Sequence, residues 1–276
     1  MAVELLILTV YFICVVYVLY QMALSVEAKL EDQFEIVWRE QEQLEAYINS
    51  QLQQQDLYQV RAEVKADWRV IKEKEGREKR IRIAFVVLAF FDEKEEIGSI
   101  RLDIKPFGRQ ALTPPIKEIV VEVNNQLPNR QVLINWDYSA ISMFGQPGQR
   151  TIRKIPGQPI DLLPSQALTV VNPGFKSVSM LINEAALNRP ENQVALSVGS
   201  NLIDFQKISD MKEQMRQYRL QMVMWVRSTL HPNSHALQII LPFDFQIKVL
   251  PDHVALPVLS WLLKFNPFAL IAQKSR

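Results

Sequence analysis

The sequence predicts a mainly β protein: an N-terminal transmembrane helix and an amphipathic helical stalk, followed by an antiparallel, immunoglobulin-like β-sandwich. Three observations lead to this class. An uncharged apolar stretch stands near the start of the 276-residue chain, a helical pattern follows it, and most of the rest of the chain consists of short segments with strand patterning. Only residues 183–187 and 208–217 look helical between those segments, which disfavours a doubly wound enzyme fold.

The first element is LLILTVYFICVVYVLYQMAL, residues 5–24, which carries no charge. A helix of about twenty apolar residues crosses the hydrocarbon core of a bilayer. A cleaved secretory signal is the alternative, but MAVE before the stretch lacks lysine and arginine, and residues 23–25 make a poor cleavage site. A buried core helix would need apolar partners on every side. We therefore expect residues 1–25 to be an uncleaved anchor.

The flanking charges indicate an orientation. Only Glu4 precedes the stretch, whereas Lys29 and Arg39 follow it, so the bias of basic residues favours a C-terminal domain on the cytoplasmic side. The sole cysteine, Cys14, lies in the anchor, so the domain can form no internal disulfide. These features predict a single-pass membrane protein and agree with a reducing compartment.

The second element is an amphipathic stalk over residues 26–56. Its apolar residues recur at helical spacing, namely Val26, Leu30, Phe34, Val37, Leu44, Ile48 and Leu52. Such a helix could form a short coiled coil between copies, with Gln41 interrupting the seam, or it could lie against its own β domain. We expect the glutamine-rich residues 51–55 to be its frayed end or a linker.

A regular alternation opens the β domain. From Val60 to Val70, apolar residues alternate with charged ones, as in a strand with one wet face, although a helical spacing also fits. Residues 81–91 become wholly apolar, as in a central strand. Further candidate strands, separated by turn residues, cover residues 100–105, 118–123, 131–137, 150–155, 167–171, 176–181, 194–198, 218–227 and 236–249. We assign residues 57–252 to this domain, with two sub-sandwiches as an alternative, and expect it to fold without residues 1–55.

The segment QVLINWDYSAISMFGQPGQRTIR, from Gln131 to Arg153, with its continuation to Asn172-Pro173-Gly174, resembles uncharacterised single-pass membrane proteins of cyanobacteria. The resemblance extends over Arg80 to Leu250. It implies an N-terminal anchor and a β-sandwich, and it brings no activity or functional residue with it.

Residue patterns typical of catalysis are scarce. His231 and His235 have metal-ligand spacing, but a Pro-Asn turn separates them and no acidic or cysteine ligand is close in sequence, so a solvated turn is favoured. No nucleophile elbow, P-loop or dinucleotide fingerprint occurs. Asp103, Asp137 and Asp204 could form a site only if the fold united them. We expect no enzyme activity, no metal and no cofactor.

Two surface features could make contacts. Lys72, Lys74 and Arg77 lie in a mixed but net basic segment that could bind anionic headgroups or an acidic partner, with a solvated hairpin tip as the alternative. The triplet Trp136-Asp137-Tyr138 could form an aromatic recognition patch, but we favour an alternation into and out of the core.

The C-terminal residues 253–276 are apolar and basic. Prolines interrupt the segment, so it is too short and broken to cross a bilayer. It could lie at a membrane interface, dock a partner or cap the β domain. The residues expected at such a contact are Trp261, Lys264, Phe265 and Phe268.

These observations favour a membrane-anchored interaction protein, a scaffold or assembly factor. Its expected partners are the lipid bilayer and another membrane protein or complex, with a possible homo-oligomer through the stalk. The balance of 31 Lys+Arg against 30 Asp+Glu gives no nucleic-acid signature. The alternative is a binder of lipid or a small apolar ligand in the sandwich. A deep apolar cavity would favour the binder, and a flat exposed apolar patch would favour the interaction protein.

Overall fold

A computed structural model describes residues 2–30, 32–55, 60–72, 78–92, 95–111, 114–160, 164–188, 196–231 and 235–250. The chain divides into two compact units. The larger comprises residues 35–109 and 115–248, and the smaller comprises residues 1–34, 110–114 and 249–276. The larger unit holds most of the strands.

The predicted anchor is helical. Helix α1 (Ala2–Leu30) contains the window Glu4–Met22, and none of this window is buried. By length and composition it is the one helix among the described residues that could cross a membrane, a criterion that a signal sequence also meets. Its full exposure gives no support to the alternative of a buried core helix.

The continuous helical stalk predicted over residues 26–56 is wrong. After α1 ends, strand β1 (Asp32–Trp38) intervenes before helix α2 (Gln41–Gln54). Within β1, Phe34 and Ile36 are buried while Glu35 between them is half-exposed, which is the two-residue period of a strand. The same apolar residues happened to fit helical spacing.

The predicted strands are confirmed, since every candidate overlaps a strand of the structure. The remaining strands are β2 (Val60–Lys72), β3 (Glu78–Asp92), β4 (Glu95–Lys105), β5 (Gly108–Ala111), β6 (Ile119–Asn125), β7 (Arg130–Met143), β8 (Gln149–Lys154), β9 (Thr169–Val171), β10 (Lys176–Asn183), β11 (Leu187–Asn188), β12 (Ser197–Val198), β13 (Gln217–Ser228) and β14 (Leu237–Val249). The segments predicted as helical contain only short turns: Glu184–Ala186, Glu213–Met215 and the end of α3 (Phe205–Ile208).

The described strands form one curled sheet, with a small β11–β12 pair beside it. The order is β2-β3-β4-β6-β10-β8-β7-β13-β14-β1-β5, with β9 paired to β7, and the pairings with a defined register are antiparallel. The mainly β, antiparallel prediction is confirmed, but the immunoglobulin-like sandwich is not, because the sheet curls into a half-barrel.

Strand β8 explains why the strands do not separate into two sheets. Its first residues pair with β7, through Gln149 and Arg150, while Thr151 to Lys154 pair with β10. One six-residue strand therefore joins the β2-to-β10 half of the sheet to the β7-to-β14 half.

Helix α2 bridges the two halves through side-chain amides. Asn49 exchanges two hydrogen bonds with the main chain of Ala62 in β2, at 2.9 and 3.1 Å. Gln51 exchanges two with the main chain of Ile240 in β14, at 2.8 and 3.0 Å. The helix therefore covers open main-chain groups on both strands, as protected sheet edges require.

These contacts correct two expectations about residues 51–55 and the stalk. Leu52 is buried, and both Gln51 and Gln55 bond to β14, so this run is neither a frayed end nor a linker. The apolar face of α2, formed by Leu44, Ile48 and Leu52, is buried within the domain. It is therefore not free to form a coiled coil, and the alternative of a helix packed on its own β domain holds for α2.

An aromatic cluster fills the core near β1, β13 and β14. Trp38 stacks on Phe245 with ring centroids 4.6 Å apart, and Phe245 stacks on Tyr218 at 4.8 Å. Phe107 and Phe243 complete the cluster. Each buried phenylalanine of the cluster stabilises the fold by about 1.5–3 kcal/mol.

Candidate functional site

Most of the predicted contact residues lie outside the described residues. This holds for Lys74 and Arg77, and for the four tail residues Trp261, Lys264, Phe265 and Phe268. Lys72 is the last residue of β2, and its main chain pairs with Glu78 of β3. The two strands of the predicted hairpin are therefore paired as far as these two residues.

A wide bulge interrupts β7 where the aromatic triplet lies. Val223 of β13 pairs with Asn135, and Gln221 pairs with Ala140, so β7 advances five residues while β13 advances two. The side chain of Asn135 accepts hydrogen bonds from the main-chain N–H groups of Asp137 and Tyr138, at 3.0 and 3.2 Å. Ser139 donates to the Asn135 carbonyl at 2.6 Å and accepts from Val223 N at 3.1 Å. These hydrogen bonds replace the main-chain hydrogen bonds between β7 and β13 that the bulge interrupts.

The bulge separates the three side chains of the triplet. Trp136 is buried, and its Nε1 donates to Thr169 Oγ1 at 2.7 Å. Tyr138 is 70% exposed, and its ring meets Trp225 edge-on at 6.5 Å. Trp136 therefore lies in the core and Tyr138 on the surface, although a regular strand would place both on one face, and the triplet does not form one aromatic patch.

Asp137, between them, accepts hydrogen bonds from two neighbouring side chains. Arg150 Nη2 and Nε lie 2.5 and 3.0 Å from its Oδ1, while Gln166 donates through its main-chain N at 2.9 Å and its Nε2 at 3.0 Å. Burial opposes ionisation, but the bonds from Gln166 and Arg150 outweigh it, so the pKa of Asp137 is lowered. Asp137 is thus held as a carboxylate that ties β7, β8 and the Gln166 loop together.

Arg153 of β8 lies beside this network. Its Nη1 donates to Thr169 Oγ1 at 2.7 Å, the same oxygen that accepts from Trp136. Its Nε is buried and has no hydrogen-bond partner within the described part of the chain. Burial lowers the pKa of Arg153, because it penalises the charged form.

A cavity of 220 Å³ opens beside Arg153. Three neutral polar residues, Gln158, Ser165 and Gln166, line it together with Arg153. The rest of the lining is apolar, namely Ile152, Ile155, Pro159, Ile160, Pro164 and Ala167. A cation with an unused donor and apolar walls are the components of a small-ligand site, and we take this cavity as the candidate site.

The three aspartates considered from the sequence have separate partners. Asp103 bonds to Arg101 at 2.6 Å on β4, and Asp204 caps α3 by accepting from Gln206 N at 3.2 Å. Asp137 belongs to the β7 bulge. The three aspartates therefore do not form one site.

The histidine pair is also exposed. His231 and His235 both lie on the surface, and His253 falls outside the described residues. Across the part of the chain that the structure describes, no group of three or more His, Cys, Asp or Glu residues could hold a metal ion.

Comparisons with known proteins found no match: no family model, no curated protein and no solved structure matches this chain. The resemblance of residues 131–153 to cyanobacterial single-pass proteins therefore stays a prediction.

Proposed function

We propose that the protein is a single-pass membrane protein whose β domain binds another membrane protein or complex as a scaffold or assembly factor. Helix α1 supports the anchor. Lys29 and Arg39 after the apolar window support a domain on the cytoplasmic side.

The observation that carries the proposal is a group of exposed apolar side chains around the β9–β10 turn. Between 40% and 66% of each side chain is exposed, and all four lie within one short segment: Leu168, Val170, Phe175 and Val178. Leaving several large apolar side chains in water forgoes their burial, and such clusters mark contact surfaces.

Charged residues flank this segment. Val178 lies opposite Glu122 in the β10–β6 register, and the Glu122 carboxylate pairs with Lys176 at 2.5 Å and Lys105 at 3.6 Å. An apolar centre with a charged rim is the composition of protein–protein interfaces.

The test compares two variants of the full-length, detergent-solubilised protein by affinity purification and quantitative mass spectrometry. We expect Phe175→Ser with Val178→Ser to lose a co-purifying membrane complex. Leu230→Ser, which changes an equally exposed apolar residue in another loop, should retain it. Recovery of the same complex with both variants would contradict the proposed contact surface.

We propose two further contact segments from the sequence alone: the basic hairpin residues Lys72, Lys74 and Arg77, and the tail. Trp261→Ser with Phe265→Ser should weaken binding to anionic liposomes or to a partner while leaving the melting temperature almost unchanged. Unfolding of this double variant would instead make the tail part of the core.

A second candidate function is the binding of a small ligand. The cavities at Arg153, at Trp38 and at Lys117 measure 220, 200 and 320 Å³. Pockets for drug-sized ligands have volumes of about 300–1,000 Å³. Cavities of this size favour a small molecule over a lipid. Two of them are lined by a residue with a buried N–H that has no partner in the described residues, Arg153 Nε and Trp38 Nε1, and of these two residues only Arg153 is a cation.

A further inference from the structure

We propose that the cavity beside Arg153 binds a small organic carboxylate with a short aliphatic chain. The proposal rests on the second candidate function, small-ligand binding, and names its ligand class. It does not depend on the contact surface around the β9–β10 turn.

The donors of Arg153 define the anion. Thr169 occupies Nη1, which leaves Nε and Nη2 on the other side of the guanidinium. These two groups form a planar fork that matches the two oxygens of a carboxylate. The buried Nε–H without an acceptor carries the cost of an unmade hydrogen bond, and a carboxylate oxygen would remove that cost.

The charge of Arg153 is not neutralised within the site. The carboxylate of the neighbouring network, Asp137, is engaged by Arg150 and Gln166. The hydrogen bond from Arg153 Nη1 goes to the neutral hydroxyl of Thr169. Arg153 is half-buried, and a cation that is partly removed from water and lacks a counter-ion within the described residues favours an anionic ligand.

The walls define the rest of the ligand. Apart from Arg153, Ser165 and two glutamines, the lining consists of isoleucine, proline and alanine side chains. These surfaces suit an aliphatic chain and provide few donors for the two remaining oxygens of a phosphate. The volume of 220 Å³ limits the chain to a few carbons.

Trp136 supplies a local readout. Its indole N–H donates to Thr169 Oγ1, which also accepts from Arg153 Nη1. Because the two donors share one oxygen, a shift in the position of the guanidinium on ligand binding alters the environment of the indole proton. The experiment is a titration of full-length protein in detergent micelles, labelled with ¹⁵N in tryptophan, with hexanoate, hexanamide and inorganic phosphate. Trp136→Phe assigns the resonance.

We expect hexanoate to give a saturable shift of the Trp136 indole resonance and the neutral hexanamide, which has the same aliphatic chain, to give none. Arg153→Lys keeps the charge but loses the fork, and should bind at least about tenfold more weakly. Ala167→Phe places a ring at an exposed position of the cavity lining and should abolish the shift, with the ligand-free Trp136 resonance unchanged. Arg219→Lys, at an exposed arginine paired with Asp244, is the matched control and should bind like the unaltered protein.

The proposal is overturned if hexanoate gives no saturable shift, if hexanamide or phosphate binds as tightly as hexanoate, or if Ala167→Phe binds normally. These outcomes are separate from the contact function. Ala167→Phe should still co-purify the complex that Phe175→Ser with Val178→Ser loses, so the failure of one proposal leaves the other standing.

Discussion

Asn49 and Gln51 each take the place of a peptide group at a strand edge. A carboxamide has one carbonyl oxygen and one N–H₂ group, so it can bond to both the N–H and the C=O of a single strand residue. Asn49 does this with Ala62, and Gln51 does it with Ile240. Neither a carboxylate nor an ammonium could provide both a donor and an acceptor.

The first prediction tests this pairing at Asn49. Asn49→Leu leaves the N–H and C=O of Ala62 without their partner, so we expect the free energy of unfolding to fall by about 1–3 kcal/mol. Gln53→Leu, on an exposed position of the same helix, is the control and should change it by less than about 0.5 kcal/mol. Chemical denaturation of the full chain measures both, and equal effects would show that the amide pairing contributes nothing.

The second prediction concerns pH. The folded-state pKa of Asp137 is lowered below its unfolded value, which is about 3.9. Ionised Asp137 therefore stabilises the fold above that pH, and the contribution is lost as the pH falls through the folded-state pKa. The stability advantage of the unaltered protein over Asp137→Asn should stay constant near neutral pH and shrink below about pH 4. A difference that stays constant into strong acid, by denaturation at a series of pH values, would refute the role of the ionised carboxylate.

No local pattern in the sequence predicted the residues of the candidate site. Arg153 and Gln166 lie 13 positions apart, and Arg153 N donates to Gln166 Oε1 only because a loop folds back onto β8. Thr169 then brings β9 to the same place. No local spacing encodes such a meeting. A regular strand places residues two positions apart on the same face, so the burial of Trp136 and the exposure of Tyr138 depend on the β7 bulge and could not be predicted from strand periodicity.

At the scale of elements, the long strands and helix α1 were predictable, whereas strand β1 and the placement of α2 were not. The alternation in β2 and the apolar run in β3 depend on strand period and burial, both of which are visible locally. The apolar residues of β1 fit both the two-residue period of a strand and the period of a helix, so their spacing does not distinguish the two. The placement of α2 depends on hydrogen bonds to β2 and β14, and these lie far away in the chain.

The third prediction compares two truncated chains. One begins at Asp32 and keeps β1 and α2, and the other begins at Asp56 and lacks both. We expect the longer chain to unfold cooperatively with a β-type circular-dichroism spectrum. The shorter chain should aggregate. Without α2, main-chain groups at the edges of β2 and β14 have no hydrogen-bond partner, and the apolar surface that Leu52 covers becomes exposed.

This comparison revises the expectation that the β domain folds without residues 1–55. Both chains carry the same C-terminal residues, so a tendency of the tail to associate affects them equally. Cooperative unfolding of the chain that begins at Asp56 would show that α2 is dispensable for the fold.

At the scale of the whole molecule, most strands and their antiparallel pairing could be predicted, but β1, β5, β11 and the closure of the sheet could not. Short strands at regular spacing are typical of a sandwich, and of a half-barrel equally. The choice depends on β8, which pairs with β7 through Arg150 and with β10 through Ile152. A strand shared by both halves keeps them in one sheet, and its sequence resembles that of any short strand.

The last prediction concerns the membrane. Within Glu4–Met22, no part of the window is buried by the protein, so this apolar surface would face water unless lipid covers it. All main-chain groups inside such a helix are satisfied, which allows it to cross the hydrocarbon core. We therefore expect the full chain to stay in the membrane pellet after alkaline carbonate extraction, and its intact mass to include residues 1–25. The chain that begins at Asp32 should move to the supernatant. A cleaved signal sequence would instead give a shortened mass together with release, and release of the uncleaved chain would show that the helix lies on the surface rather than across the bilayer.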